Sequence, residues 1–277
     1  MLPLIPADFF YRWRFNQKIR LQKSKIRLSS GFGIFLAYIL AGIIDFIEVY
    51  GMILQFTRLV QGALRQERRF QITSNNLSNV DTPSFKEDVL SFDWRLKAHL
   101  TVNHSQGPLR ETGNPLDVSL ADEGFFTVQT PYGTRYTRDG RFTINSAGEL
   151  VTQTGDQVLG EGGPITIAGN KVDINKAGEV FVDGEIVDAL KVVTFEDLTP
   201  LFKQGGNLYE YLGDPGAEIT PPNIDVKQKT IEGSNVETVT EMARLIELSR
   251  MYETYQKMLQ SFDETDAKAI SDVGQLR

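Results

Sequence analysis

The sequence predicts an α+β protein whose N- and C-terminal helices form a coiled coil, with a central all-β domain of short antiparallel strands between them. Three observations carry this reading. Near the C terminus Leu245, Leu248, Tyr252, Tyr255, Leu259 and Phe262 recur at steps of 3, 4, 3, 4 and 3. That is a coiled-coil seam rather than the wider stripe of a helix lying on its own core. A second ladder with the same step runs through Ile53, Phe56, Val60 and Ala63, meets the polar Glu67, and resumes at Phe70. Between Asp88 and about Pro222 the helical period disappears and short β-prone runs alternate with turn signals. The chain therefore divides into an extension (1–51), an N-terminal helix with an Asn-rich turn (52–87), a β domain with flanking loops (88–222) and a coiled-coil helix (223–277).

The extension differs in charge from the rest. Residues 1–51 hold seven Lys/Arg and three Asp/Glu, a balance of +4, so the remainder carries −11 of the chain's net −7. Arg12, Arg14, Lys18, Arg20, Lys23, Lys25 and Arg27 precede an apolar run from Gly31 to Ile44. The run falls short of the ~20 residues that span a bilayer. Extending it places Asp45 and Glu48 in hydrocarbon, which costs several kcal/mol. As a secretory signal it has the right apolar length but no A-x-A-like cleavage site behind it. A membrane anchor, an atypical signal and upstream sequence outside the working protein all remain open at this point.

From Met52 the polar faces of the ladder carry Gln, Arg and Glu, as an amphipathic helix requires. The helix meets Ser74-Asn75-Asn76-Leu77-Ser78-Asn79-Val80-Asp81-Thr82-Pro83-Ser84-Phe85-Lys86. Asn, Asp and Ser compete with the backbone for hydrogen bonds and Pro83 cannot continue a helix, so spacing alone reads this stretch as a stop and turn. Strands are expected over Leu116–Leu120, Phe125–Gln129, Arg141–Ile144, Lys171–Ile174, Val180–Val182 and Leu190–Phe195. Asp139-Gly140 and Asp183-Gly184 have the composition of hairpin turns. The pattern I-N-x-A-G-E followed by two apolar residues occurs at Ile144–Val151 and again at Ile174–Phe181, which predicts one turn used twice, with Gly148 and Gly178 at positive φ. Gly205-Gly206, Gly213–Gly216 and Pro221-Pro222 mark the return loop. Ser234 and Glu237 have capping-box spacing, and nothing breaks the run from Val236 to Val273, about 50 Å of helix.

Chemistry is thinly represented. With no Cys there are no disulfides, thiolate metal sites or Cys nucleophiles, although the compartment stays open. His99 and His104 do not form an HxH or HxxxH pair, so no metal site is expected. Asp122, Glu123, Asp139, Glu196 and Asp197 stand near turns, where carboxylates are ordinary on a solvated β surface. Gly-x-Ser-x-Gly, GxxxxGK[ST] and HExxH are absent. Arg138, Asp139 and Arg141 read as turn chemistry with a surface ion pair worth about 0–1 kcal/mol. No catalytic, cofactor or small-molecule site is expected, and the acidic body argues against nucleic acid.

The string from Asn75 to Lys86 resembles the N-terminal signature of the flagellar axial proteins, the rod and hook family of the bacterial basal body. The family's chains begin about two dozen residues before the paired Asn, which lands on Met52, and Gly62 falls where the family commonly has Gly. Thr112–Val118 with Gly124-Phe125-Phe126, and Tyr136–Phe142, are similar to its central signature. Glu232–Val236 followed by Leu248–Glu253 resembles its C-terminal block. Ser84 in place of Gly, and Asp122-Glu123 before Gly124, depart from the pattern. The wording of the last helix looks more like the proximal-rod than the distal-rod type.

The resemblance implies a structural subunit of the basal-body rod, not an enzyme, with copies of itself and neighbouring rod proteins as partners. It implies export to the periplasmic space through the flagellar type III apparatus without a cleaved signal. Residues 1–51 then read as a gene-start artefact, and a membrane contact follows only if they are real. Assembly residues carried over are Ile53, Phe56, Val60, Ala63, Phe70, Asn75, Asn76, Leu77, Asn79, Thr82, Phe85 and Lys86 at one end. At the other they are Ser234, Asn235, Val236, Leu245, Leu248, Tyr252, Tyr255, Leu259 and Phe262. One seam gains about 1.5–3 kcal/mol per buried large side chain against roughly 1–2 kcal/mol of backbone entropy per residue. The termini are therefore expected to be largely disordered in a free subunit. Met242, Ile246, Met251 and Met258 flank the seam and either widen it or meet neighbours. A membrane-anchored periplasmic binding module and an enzyme acting on cell wall are the alternatives from other classes.

Overall fold

The computed structural model describes residues 31–93, 97–214 and 216–274, with side chains described for 54, 56–93, 97–214, 216–265, 267 and 268. The chain divides into two compact units, Met1–Gly62 and Ala63–Arg277. Readings that fall on residues 1–30, and on the side chain of Ile53, lie outside the described residues.

Helix α1 is Gly31–Ser78. It takes in the apolar run, Asp45, Glu48 and Gly51 and passes through Met52 without a break. Among the described residues no helix is long and apolar enough to cross a membrane. In the first unit Phe56 is exposed and Val60 half-buried.

The second unit holds the end of α1, the strands and the C-terminal helix. The strands are β1 Asp88–Phe92, β2 Ala98–Val102, β3 Leu109–Glu111, β4 Val118–Leu120, β5 Phe125–Thr130 and β6 Gly133–Thr137. Next come β7 Thr143–Ile144, β8 Leu150–Val151, β9 Gln157–Gly160, β10 Gly163–Pro164, β11 Val172–Ile174 and β12 Glu179–Val182. The last are β13 Glu185–Ala189, β14 Val192–Val193, β15 Leu201–Gly205, β16 Leu208–Tyr211, β17 Val226–Gln228 and β18 Thr230–Glu232. Helix α2 is Thr238–Gly274.

All pairings between these strands are antiparallel. Among the described residues the main sheet has nine strands, ordered β15-β16-β6-β5-β9-β8-β7, with β10 on β9 and β14 on β5. Strands β11, β12 and β13 form a second sheet. Strands β17 and β18 come back to pair with β4 and β3, so the β fold extends past Pro222 to Glu232. Because successive strand residues face opposite ways, β5 is buried on both sides. Phe126 and Val128 enter the larger core with Val118, Phe142, Val158, Val180 and Val226. Phe125 faces a smaller core with Tyr136, Phe195, Leu201 and Tyr209. Each fully buried side chain of this size contributes about 1.5–3 kcal/mol.

Turn chemistry follows the sequence in two places and departs from it in one. Asp183 and Gly184 have φ of 51° and 95° and join Val182 to Glu185, the two-residue hairpin with both central residues at positive φ. The repeated motif builds one turn twice. The Asn145 side-chain oxygen accepts the N–H groups of Ala147 and Glu149, each at 2.9 Å, and Asn175 does the same for Ala177 and Glu179 at 3.0 Å. Asp139-Gly140, by contrast, is not a hairpin turn. Gly140 is there because a Cβ would stand 1.9 Å from the Val118 carbonyl oxygen, and its own carbonyl accepts the Val118 N–H at 2.9 Å.

At 1.5 Å per residue the 37 residues of α2 extend about 55 Å. The capping box does not form as expected. The Ser234 hydroxyl accepts the N–H of Val236 at 3.2 Å, and Thr240 donates to the Glu237 carboxylate at 2.8 Å. Along the seam Leu248 is buried, Leu245, Tyr255, Leu259 and Phe262 are half-buried, and Tyr252 is exposed. Val239, Met242, Ile246, Met251 and Met258 are exposed.

Candidate functional site, the junction of the terminal segments

The Asn-rich string is part helix and part clamp. Helix α1 continues to Ser78, so Asn75, Asn76 and Leu77 occupy its last turn rather than a turn behind it. That turn leaves carbonyls without helical partners. The Asn79 amide donates to the Asn75 carbonyl at 2.9 Å, and Thr82 donates to the Asn79 side-chain oxygen at 3.1 Å. Asn76 is 2% exposed; its oxygen accepts the Asp88 N–H at 2.9 Å and its amide donates to the Asp88 carbonyl at 3.0 Å. One side chain thereby ties the end of α1 to the start of β1.

Beyond Pro83 the chain turns inward. Ser84 has φ of 59°, the left-handed conformation that glycine adopts most easily, and it is buried. Its N–H donates to the Glu232 carbonyl at 2.8 Å and its hydroxyl to the Arg138 carbonyl at 2.9 Å. Ser84 thus keeps a conformation suited to glycine and adds a bond that glycine lacks. The buried Phe85 ring lies under the Lys203 ammonium, 4.0 Å from the ring centre.

Lys86, Arg138 and Glu232 then meet out of water. The Lys86 ammonium donates to Glu232 Oε1 at 2.6 Å and to the Ser105 carbonyl at 2.7 Å. Arg138 donates from Nε to Glu232 Oε2 at 2.9 Å, and from Nη1 to the carbonyls of Asp122 and Gly124, each at 2.7 Å. The Gly107 N–H donates to Glu232 Oε1 at 2.8 Å. Glu232 is 1% exposed and both its oxygens are taken. Arg138 is therefore no surface residue. Only Arg141 makes the expected surface pair, with Asp139 at 2.7 Å.

Asn235 closes the junction. Its oxygen accepts the Glu87 N–H at 2.7 Å, and its amide donates to the carbonyls of Asn103 and Ser105 at 2.8 and 3.0 Å. Arg244, on α2, bonds Glu87 at 3.2 Å and also pairs with Glu241. Ile72, Thr73 and Asn76 on α1 share a cleft with Leu90, Glu241 and Leu248. Both helices therefore emerge from one corner of the β domain.

Electrostatics there are cation-rich. Burial lowers the Lys86 pKa, Glu232 opposes that shift, and Arg138 adds to it. His104 lies within 5.8 Å of the Phe125 ring centre and 5.7 Å of that of Tyr209. Desolvation lowers its pKa to about 4, with Lys86, Lys203 and Arg138 adding to the shift. Among the described residues no cluster of His, Cys, Asp or Glu is arranged to hold a metal ion.

This geometry coincides with two matches to known proteins. The family model for the flagellar hook protein FlgE/F/G D1 domain matches residues 120–182, which include Arg138. The model for the flagellar basal body rod FlgEFG protein C-terminal matches residues 227–272, which include Glu232 and most of α2. The flagellar basal-body rod protein FlgF of Caulobacter vibrioides is 34% identical over 229 residues, covering 76% of this chain and 93% of the relative. The chain belongs to the flagellar basal-body rod protein family. The FlgF protein of Salmonella typhimurium is 30% identical over 72% of this chain and 89% of that protein. The FlgG protein of Buchnera aphidicola from Acyrthosiphon pisum is 31% identical over 72% and 92%. The family's location, the flagellar basal body, is this chain's location.

Within this rod-protein chain the junction gathers Asn76, Phe85, Lys86, Asn235 and the buried Ser234 and Val236, with Asn75, Asn79 and Thr82 along its edge. It does not gather the helical positions. Ala63 and Leu77 are half-buried and Phe70 is exposed, because the inward face of α1 there runs through Gln66, Thr73 and Asn76. Sequence reading missed Arg138 and Glu232 as a pair. Glu232, between Ile231 and Gly233, offered a signal; Arg138, between Thr137 and Asp139 and close to Arg141, offered none.

Proposed function

We propose that this chain is a structural subunit of the flagellar basal-body rod, of the proximal type, and that it polymerises through its terminal helices. The observation that carries this is the exposed apolar row of α2, Val239, Met242, Ile246 and Met258, beside a seam of which, among the described residues, only Leu248 is buried. Apolar surface of this kind gains about 25 cal/mol per Å² when covered. The ladder from Ile53 to Phe70 supplies a helix for that seam, and neighbouring subunits supply cover for the second row. Head-to-tail contacts that do not close on themselves grow a shaft.

Further parts of the reading rest on resemblance. Passage through the flagellar type III export apparatus belongs to it, and so does the proximal assignment, which the wording Leu248-Ser249-Arg250-Met251-Tyr252-Glu253 supports. The distal type is the second reading; one of the relatives, at 31% identity, carries the name FlgG rather than FlgF. The role is mechanical, with no reaction to catalyse. Deleting residues from Ser261 onward tests it: the β domain stays folded while incorporation into basal bodies is lost. Normal motility of that mutant would overturn the assembly role, and complementation of proximal- and distal-rod mutants separates the two types.

A further inference from the structure

We infer that Glu232 is a positioning residue that makes the two terminal segments of the subunit close and open as one. Lys86 lies 146 residues from Glu232, yet Glu232 supplies its counter-charge, its remaining partner being the neutral Ser105 carbonyl. The segment after Pro83 is held to the segment before α2 by three further bonds: Ser84 N–H to Glu232 carbonyl, Asn235 N–H to Phe85 carbonyl, and Glu87 N–H to the Asn235 side chain. The third party, the loop 103–107, is tied to both. Asn103 N–H donates to the Glu87 carbonyl at 2.9 Å, and Gly107 N–H donates to the Glu232 carboxylate. Each segment completes the polar groups of the others, so none is satisfied alone.

Arg138 is anchored differently. It keeps two carbonyl partners inside the β domain, Asp122 and Gly124, whatever Glu232 does. Neutralising Glu232 therefore strands Lys86 as a buried cation while leaving Arg138 seated. Opening relieves Lys86, and it frees the Asn76–Asp88 tie on one side together with the Asn235 tie on the other. The end of α1 and the start of α2 are set by the same carboxylate.

Hydrogen exchange on the isolated full-length chain tests this, and its failure would leave the assembly reading standing. In Glu232→Gln and in Lys86→Met, amides of 84–90 and of 231–241 should both exchange roughly a hundredfold faster, with β5 and β9 unchanged. Acceleration in Lys86→Met confined to 84–90 would overturn the coupling. If Glu232→Gln does not fold, the double variant Lys86→Met/Glu232→Gln carries the test. With the stranded ammonium gone and Arg138 still on its two carbonyls, it should fold where Glu232→Gln does not; failure of the double variant to fold as well would overturn the inference.

Discussion

The Lys86 ammonium and the Glu232 carboxylate lie 2.6 Å apart, with side chains 1% and 0% exposed. A pair so far out of water is costly to form and costlier to break, because removing one partner leaves the other charge buried. Arg138 shares the same carboxylate at 2.9 Å. The junction is thus one anion between two cations, and its strength depends on geometry as much as on charge.

Arg138→Lys tests that dependence. The guanidinium serves Glu232 and two backbone carbonyls at once, and an ammonium on a shorter reach cannot hold all three. The charge is kept, yet at least one buried acceptor loses its donor, at a cost of about 1–3 kcal/mol. Urea unfolding of the purified subunit should show the midpoint fall with an unchanged slope. Wild-type stability in Arg138→Lys would mean that charge alone matters.

Ser84 gives an ordering of variants. At φ of 59° a non-glycine residue pays about 1–2 kcal/mol, while its hydroxyl bond to the Arg138 carbonyl returns about 0.5–1.5 kcal/mol. Ser84→Gly should therefore lie within about 1 kcal/mol of wild type. Ser84→Ala keeps the strain and loses the bond, and should be the least stable of the three, about 0.5–1.5 kcal/mol below wild type and about 1–2 kcal/mol below Ser84→Gly. Thermal unfolding of the three proteins reads the order directly.

Much of this fold is legible in the sequence because it is local. Asp183-Gly184 carries its own turn, and the two I-N-x-A-G-E copies carry theirs in the Asn side chain that bonds two N–H groups ahead. Leu248 inward and Met242 outward follow from helical spacing. What is not legible is long-range. Asp139-Gly140 has a hairpin's composition but answers to Val118, against which its backbone is pressed. Arg138 looks solvated because its partner is 94 residues away. Phe70, apolar and on the ladder, faces water because α1 presents Gln66, Thr73 and Asn76 inward instead.

His104 predicts a pH dependence with a definite sign. Its pKa in the fold is about 4, below the ordinary value near 6.5, because the ring is desolvated and faces Lys86, Lys203 and Arg138. Between those two values the unfolded chain binds the proton and the folded chain does not. Stability is complete above about pH 6.5 and falls as pH drops toward 4, by up to about 3 kcal/mol. His104→Phe retains an aromatic ring against Phe125 and Tyr209 and should flatten the unfolding midpoint across that window. An unchanged slope in the variant would assign the acid sensitivity to other groups.

Leu248 and Leu259 separate stability of the subunit from growth of the shaft. Both sit on the same seam of α2, but Leu248 is 9% exposed in the single chain whereas Leu259 is only half-buried. Truncating a buried leucine costs about 2–5 kcal/mol, so Leu248→Ala should lower the unfolding midpoint of the free subunit. Leu259→Ala should leave that midpoint within about 1 kcal/mol of wild type. Its cost appears when neighbours cover the seam, as a loss of incorporation into basal bodies measured by quantitative immunoblot. Equal incorporation of Leu259→Ala and wild type would place the subunit contacts on the Met242–Met258 face instead, and Met242→Ala/Ile246→Ala would then be the variant that fails to assemble.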